Sequence, residues 1–483
     1  MTALWTAKEA AGAVRGRSTQ DWSASGVSID SRSVVPGDLF VAIRGPNVNG
    51  HRFVGEALSK GAVAAMVESD WAGAQSEPDL SLLIVEDTMA GLNALARAAR
   101  DRGSARIAAV TGSVGKTSTK DALAHALAAQ GRTAATLGNL NNQWGLPLSL
   151  ARMPARSDFG VFELGMNHPG ELTPLSRLLR PDLAIITAVE SVHLEFFDSE
   201  EAIADAKAEI FAGLVADGAA LLNADNRHFD RLRRAALEAG AGRVLSFGET
   251  PDADYRLLAW SISGGGSRVE AAIDGQQVAF DIGAPGRHWA MIGVIVLGAA
   301  ALLGADVARA ADSLAAVRAP KGRGLHHRVA LAGGAPLIVI DESYNASPAS
   351  MRAAISVLGA MEPGPGGRRI AVLGDMLELG EDSGALHAAL AADLEAQGVD
   401  LVFAAGPDMA RLFEALPASM RGAHAAQSEG LTDPLMAAVG PGDIVTVKGS
   451  LGSRMAPLVD ALRALADEDG NGGEMRSAAS GRG

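Results

Sequence analysis

The residue types best suited to chemistry begin at positions 111–118, TGSVGKTS. Gly112 and Gly115 allow backbone N–H groups around Ser113 and Val114 to turn towards an anion. A helix starting at Lys116 would add the positive end of its dipole, and Lys116 itself a full charge. Thr117 would place a hydroxyl on a Mg2+ ion accompanying a phosphate chain, with Ser118 in the same first turn. An apolar run before the loop and a helical run after it favour this over a plain glycine turn with a solvated lysine. The common spacing G-x-x-x-x-G-K-[ST] would need glycine at 110. The chain has Val110 there, so its loop is the shorter T-G-x-x-G-K-T.

Further candidates follow downstream. The segment 138–147, GNLNNQWGLP, sets Asn139, Asn141 and Asn142 in a loop bounded by glycine and proline. Three amides there suit a hydrogen-bonding wall for a neutral substrate, or simply an asparagine-rich turn. Glu163 ends the strand-like run VFELG, and His193 follows the next strand-like run. Carboxyl ends of parallel strands are where ligands bind, and a carboxylate there could face a phosphate-bound Mg2+. Lys207 lies on a helical run, IADAKAEIF, fourteen residues after His193. Taken alone, a lysine on a helix reads as part of a solvated face.

These residues need a scaffold that aligns strand ends, and the hydrophobic pattern supplies one. From residue 106 the chain alternates between β-rich runs (ARIAAVTGS, DFGVFELG, PDLAIITAV) and helical runs (STKDALAHALAAQG, ELTPLSRLLRP, SEEAIADAKAEIFAGL). Such alternation predicts an α/β fold, a parallel sheet with helices on both faces. Before residue 86 shorter strands and helices alternate around a turn at Pro36-Gly37. The glycine-rich interval 261–286 predicts a hairpin. After the loop RAPKGRGLHHR, four strand-like runs with helices between them predict a second α/β body. From residue 467 the sequence has almost no large apolar side chains and reads as a disordered tail.

At 483 residues the chain is long enough for two or three domains. Its 42 basic and 56 acidic residues give a net charge of −14, opposite to the basic footprint of a nucleic-acid scaffold. The absence of cysteine excludes disulfides and thiolate metal sites. Lys8 and Glu9 interrupt the N-terminus before a signal-like apolar run develops. The longest uncharged apolar stretch, residues 290–305, falls short of the roughly 20 residues that span a bilayer. A soluble, cytoplasmic protein without membrane insertion is expected.

Taken in order, the motifs resemble the Mur ligase family over nearly the whole chain. The loop TGSVGKT, GNLNNQWGLP, ELGMNHPGE and AKAEIF carry the centre of the likeness. DSR at 30–32, PGDLFVA at 36–42 and G…NGH at 45–51 carry its N-terminal part. The GRG loop with Arg323, IDESYNASPASM from Asp341's strand, LGDMLELG, His387 and VKGS carry the rest. The C-terminal part contains no D-N-P-R motif, which favours the dipeptide-adding branch. The chain departs from the family's H-N-x-x-N at residues 288–292, where the two amide positions are Trp289 and Ile292.

The resemblance implies three domains. These are a small α/β domain for a uridine nucleotide (1–85), a central ATP-binding phosphate-loop domain (86–318) and a Rossmann-like C-terminal ligase domain (319–466), with 467–483 as a tail. It implies an ATP-dependent amide ligase that joins D-alanyl-D-alanine to a UDP-N-acetylmuramoyl-tripeptide through an acyl phosphate. ATP would lie on residues 112–118 with Arg323 and Asp341. The UDP-substrate would contact Ser31, Arg32, Asn49, Gly50, His51, Asn139, Asn141 and Asn142. Thr117, Glu163, His193 and a carbamylated Lys207 would hold Mg2+, with Lys116, Glu163, His193 and Lys207 as the catalytic set. A monomer with no nucleic-acid partner is implied. Two alternatives stay open: a sibling ligase of the amino-acid-adding or folylpolyglutamate type, and a phosphate-loop NTPase switch.

Overall fold

In the computed structural model, residues 3–73, 80–190, 197, 199–263, 265–331 and 334–471 are described. The chain forms two compact units. One comprises Met1–Val189, Glu201–Tyr255 and Ile295–Ala310; the other comprises Glu190–Glu200, Arg256–Val294 and Ala311–Gly483.

The first unit opens with a five-stranded sheet built from β1 (Arg17–Ser18), β2 (Gly26–Ser28), β3 (Asp38–Val41), β4 (Ala64–Glu68) and β5 (Leu82–Val85), in the order β1-β5-β4-β3-β2. All its pairs are parallel except β1 with β5. Strand alternation divides the apolar side chains between two cores. Leu39, Val41 and Met66 pack with Trp5 and Leu92 on one side, while Phe40, Ala65 and Val67 pack with Val54 on the other. Helix α1 (Thr88–Asp101) follows, capped by Asp87, whose side chain accepts the N–H of Ala90.

A second sheet carries the candidate site. Its elements are β6 (Arg106–Thr111), α2 (Lys116–Ala128), β7 (Thr133–Ala135), α3 (Gly145–Ala151), β8 (Phe159–Glu163), α4 (Leu172–Leu179), β9 (Leu183–Ile186), α5 (Glu200–Ala208), β10 (Ala219–Asn223), α6 (Phe229–Glu238) and β11 (Arg243–Gly248). The strands run parallel in the order β11-β10-β9-β6-β8-β7, so the carboxyl ends of β6, β8 and β9 lie side by side. Ile107, Ala108, Ala109 and Val110 are completely buried, as in a strand covered on both faces.

One feature of this sheet differs from the sequence expectation. The asparagine-rich segment is not loop throughout, because α3 begins at Gly145 and includes Pro147. Proline is tolerated in a first turn, where its missing N–H would have no intrahelical acceptor. The β10–α6–β11 unit occupies residues 219–248, for which the sequence expectation contains no element.

In the second unit the glycine-rich interval forms an antiparallel meander of β12 (Tyr255–Ser263), β13 (Gly266–Ile273) and β14 (Gln276–Ile282), rather than one hairpin. Asp274 and Gly275, both at positive φ, make the tight turn between its last two strands. The apolar run is helical as α7 (Arg287–Leu302), of which only the part up to Val294 belongs to this unit. The C-terminal sheet contains β15 (Leu325–Val329), β16 (Leu337–Glu342), β17 (Arg369–Gly374), β18 (Leu401–Ala405), β19 (Arg421–Ala425) and β20 (Ile444–Lys448), ordered β15-β16-β20-β17-β18-β19. Only the β15–β16 pair is antiparallel. The last helix, α8 (Ala456–Asn471), carries the chain five residues into the expected tail; residues 472–483 lie outside those described. No helix among the described residues is long and apolar enough to cross a membrane.

Candidate active site

Strand β6 delivers the chain to the phosphate loop. Val110, the position where longer loops have glycine, is a fully buried strand residue in register with Glu163 and Ile185. The turn therefore starts at Gly112, at φ +150°, where a Cβ would collide with the Thr187 hydroxyl. Gly115, at φ +82°, caps α2 and provides no side-chain acceptor for its first N–H groups. Those donors and the dipole leave the start of α2 suited to an anion. Lys116 curls back, its Nζ donating to the carbonyls of Gly112 at 2.6 Å and Ser113 at 3.4 Å.

Thr187, just past β9, fixes this loop from the neighbouring strand. Its hydroxyl donates to the carbonyl of Val114 at 2.5 Å and lies 3.3 Å from that of Thr111. The N–H of Ser113 donates to the carbonyl of Ala188 at 2.8 Å. Asn223, at the end of β10, donates through Nδ2 to the carbonyl of Thr187 at 3.1 Å. Thr187 and Asn223 were not among the sequence candidates. Their only sequence signal was a polar residue at the carboxyl end of a strand.

Glu163 closes β8 and is 2% exposed. One carboxylate oxygen, Oε2, accepts the Thr117 hydroxyl at 2.8 Å, and Oε1 accepts Asn141 Nδ2 at 2.8 Å. Its backbone N–H donates to the Thr136 hydroxyl at 3.1 Å. Asn142 accepts the N–H groups of Trp144 and Gly145 and so starts α3, while Asn139 is exposed.

Lys207, in the last turn of α5, is 2% exposed, so the solvated-face alternative does not hold. Burial, and then the positive charge of Lys116, push its amine well below the ordinary lysine range. The charged ammonium is disfavoured there relative to the free amine. His193 lies outside the described residues.

A hydroxyl and a carboxylate at 2.8 Å supply hard oxygen donors of the kind Mg2+ takes. Among the described residues no group of three His, Asp or Glu is placed to hold a metal. Mg2+ fits such a sparse protein site where substrate phosphates complete its shell.

The N-terminal candidates form their own cluster. Arg32 is exposed and held in a fork by Asp30, with contacts at 2.9 and 2.7 Å. Ser31 is buried, its hydroxyl 3.3 Å from Glu56. Asn49 Oδ1 accepts the backbone N–H of His51 at 3.1 Å and contacts its Nδ1 at 2.8 Å. His51 Nε2 accepts the N–H of Glu68 at 3.0 Å, so the proton of the neutral ring sits on Nδ1. Gly50 packs where a Cβ would come within 2.8 Å of the Ile43 backbone.

In the second unit, Asp341 is completely buried and accepts the N–H of Gly322 at 2.9 Å and the hydroxyl of Ser343 at 2.6 Å. It thereby holds the GRG loop, whose Arg323 lies 4.3 Å over the Tyr344 ring. Trp289 and Ile292 are both buried.

Comparison with known proteins identifies what the chain resembles. Residues 23–103 match the Mur ligase family catalytic domain, 110–300 the Mur ligase middle domain, and 327–451 the Mur ligase glutamate ligase domain. The chain is 31% identical over 457 residues to UDP-N-acetylmuramoyl-tripeptide--D-alanyl-D-alanine ligase of Rickettsia prowazekii, covering 95% of this chain and 99% of that one. It is similar to the crystal structure of MurF from Acinetobacter baumannii, with a TM-score of 0.80 and 27% identity over 95% of this chain and 98% of that one. It is also similar to MurF of Thermotoga maritima in complex with ADP, with a TM-score of 0.75 and 27% identity over 92% and 98% of the two chains. On this likeness, which runs over nearly its full length, the chain belongs to the Mur ligase family.

Proposed function

We infer that the chain is an ATP-dependent ligase that joins D-alanyl-D-alanine to a UDP-N-acetylmuramoyl-tripeptide in peptidoglycan precursor synthesis. The observation that carries this is the 31% identity to a relative of that name, extending over 99% of the relative. A carboxylate does not condense with an amine at neutral pH. An oxygen of the tripeptide carboxylate therefore attacks the γ-phosphorus of ATP, ADP leaves, and an acyl phosphate forms. The dipeptide amine attacks the acyl carbon, the tetrahedral intermediate expels phosphate, and the amine gives up a proton.

Each group has a task in this scheme. Lys116 and the N–H groups at the start of α2 bind the phosphates and offset charge during transfer. Thr117 and Glu163 are the residues that would hold Mg2+, which when bound neutralises charge between the phosphates. The neutral Lys207 amine adds to CO2, losing a proton as the N–C bond forms, and becomes an anionic carbamate. The cation at Lys116 that disfavours a Lys207 ammonium favours that anion. His193 is assigned to the same metal, Arg323 and Asp341 to ATP. The 1–85 segment is assigned to the uridine nucleotide through Ser31, Arg32, Asn49, Gly50 and His51. With ATP and a nucleotide-linked precursor as substrates, the cytoplasm is the assigned compartment and a monomer the assigned form.

Phosphate release measured with ATP and each acceptor alone, then with both, tests the function. Release that requires both UDP-tripeptide and D-alanyl-D-alanine is expected. Release from ATP alone at the full rate would make the chain an NTPase switch. Release with a single amino acid in place of the dipeptide would make it a sibling ligase.

A further inference from the structure

We propose that Asn141 is a positioning residue for Glu163, rather than a contact for the UDP-substrate. Two contacts dock the asparagine onto the end of β8, and a third fixes it within its own segment. Its Nδ2 donates to Glu163 Oε1 at 2.8 Å, its carbonyl accepts the N–H of Gly165 at 2.9 Å, and its own N–H donates to Asn139 at 2.8 Å. Gly165 is part of the fit, because a Cβ there would come within 2.8 Å of the Asn141 carboxamide. The segment leading into α3 is thus seated on the strand end that bears the carboxylate.

The chemistry explains why an amide stands there. An arginine or lysine at this distance would orient the carboxylate but also cancel the charge that a cation needs. A neutral N–H donor orients it and leaves it anionic. The two side-chain donors on Glu163 also differ in permanence. Thr117 and Glu163 give up their mutual bond when both turn to a cation. Asn141 binds the other oxygen, so its bond persists and keeps the carboxylate aimed.

This inference rests on Glu163 holding Mg2+, so the test carries Glu163→Gln as a control. Calorimetric titration with a non-hydrolysable ATP analogue, with Mg2+ and then with EDTA, reads the gain in affinity that Mg2+ provides without any turnover. Asn141→Ala should lose about tenfold or more of that gain, the size expected for a hydrogen bond to a charged group, with its affinity in EDTA unchanged. In turnover, the half-saturating Mg2+ concentration should rise and kcat fall, while KM for the UDP-tripeptide stays within about twofold. Asn141→Asp keeps the side-chain volume and replaces the donor with an acceptor. It should show the same losses, and serves if the alanine variant unfolds. A raised KM for UDP-tripeptide with an unchanged Mg2+ gain would make Asn141 a substrate contact and overturn the proposal. An unchanged gain in Glu163→Gln would instead overturn the metal assignment on which it rests.

Discussion

Lys207 shows how one side chain's surroundings select its chemistry. A buried ammonium beside Lys116 is disfavoured twice over, by lost hydration and by like charge. The native state therefore holds this amine neutral at pH values where the unfolded chain binds a proton. Because the unfolded state binds more protons, stability rises with pH towards the ordinary lysine value of 10.5. In CO2-free buffer, Lys207→Met should be more stable than the parent at pH 7, and the difference should shrink as pH approaches 10.5. Chemical denaturation at several pH values checks this; a difference independent of pH would mean that the amine is charged when folded. For activity the same residue should behave oppositely. Lys207→Ala should lose about a hundredfold or more in kcat if an anionic oxygen at the metal is missing. Added short-chain carboxylic acid should restore part of the rate by offering that oxygen, whereas Lys207→Arg should not respond. Near-normal turnover in Lys207→Ala would exclude the carbamate.

At the scale of elements, the phosphate loop is shaped less by its own residues than by the strand beside it. Thr187 occupies the space that Gly112 leaves open and binds the Val114 carbonyl, and Asn223 in turn binds Thr187. Thr187→Val keeps the volume and removes the hydroxyl. KM for ATP should rise about tenfold, Thr187→Ser should recover most of the loss, and KM for D-alanyl-D-alanine should not move. The N-terminal sheet has a comparable joint in His51, which bridges Asn49 and the last residue of β4, Glu68. Burial chiefly lowers its proton affinity below the ordinary 6.5, with Arg44 adding to the effect and Glu68 and Asp70 opposing it. The unfolded chain therefore takes up the proton first as pH falls. Stability should decline below about pH 6.5 and be unaffected above it, and His51→Asn should lack that part of the decline in acid unfolding curves. The parallel strands and the loop were legible in the sequence because buried strands read as apolar runs and glycine spacing has few other uses. The β10–α6–β11 unit was not. Only Leu232 and Ala236 of its helix are buried, which leaves too thin a stripe to register. The partners of Glu163 were equally hidden, since no local pattern says that Asn141 and Thr136 converge on residue 163.

At the scale of the whole first unit, the N-terminal sheet shares a core with α3. Leu148 and Ala151 of α3 pack with Trp5, Trp22 and Leu83. Trp5 Nε1 donates to the carbonyl of Ala151 at 2.8 Å, Arg102 binds the carbonyls of Leu4 and Met153, and Arg152 binds that of Val27. The asparagine segment, which binds Glu163 through Asn141, thus continues into a helix packed against the N-terminal sheet's core, so the two proposed anion-binding regions belong to one packed body. The net charge of −14 does not oppose this, because local cations and N–H groups set the field at each site. Arg32 supplies such a cation in the N-terminal body. It is 85% exposed and aimed by Asp30, so truncating it costs little stability, while a guanidinium suits the paired oxygens of a diphosphate. Arg32→Ala should therefore raise KM for the UDP-tripeptide by about ten- to a hundredfold, with KM for ATP and kcat nearly unchanged and the thermal midpoint within a few degrees of the parent. High salt should shrink the difference between variant and parent, since an exposed cation acts through a screened field. Steady-state kinetics with each substrate varied in turn decides the matter. An equal rise in both KM values would mean that the N-terminal sheet does not carry the uridine nucleotide, and a fall in kcat alone would place Arg32 in the transfer step.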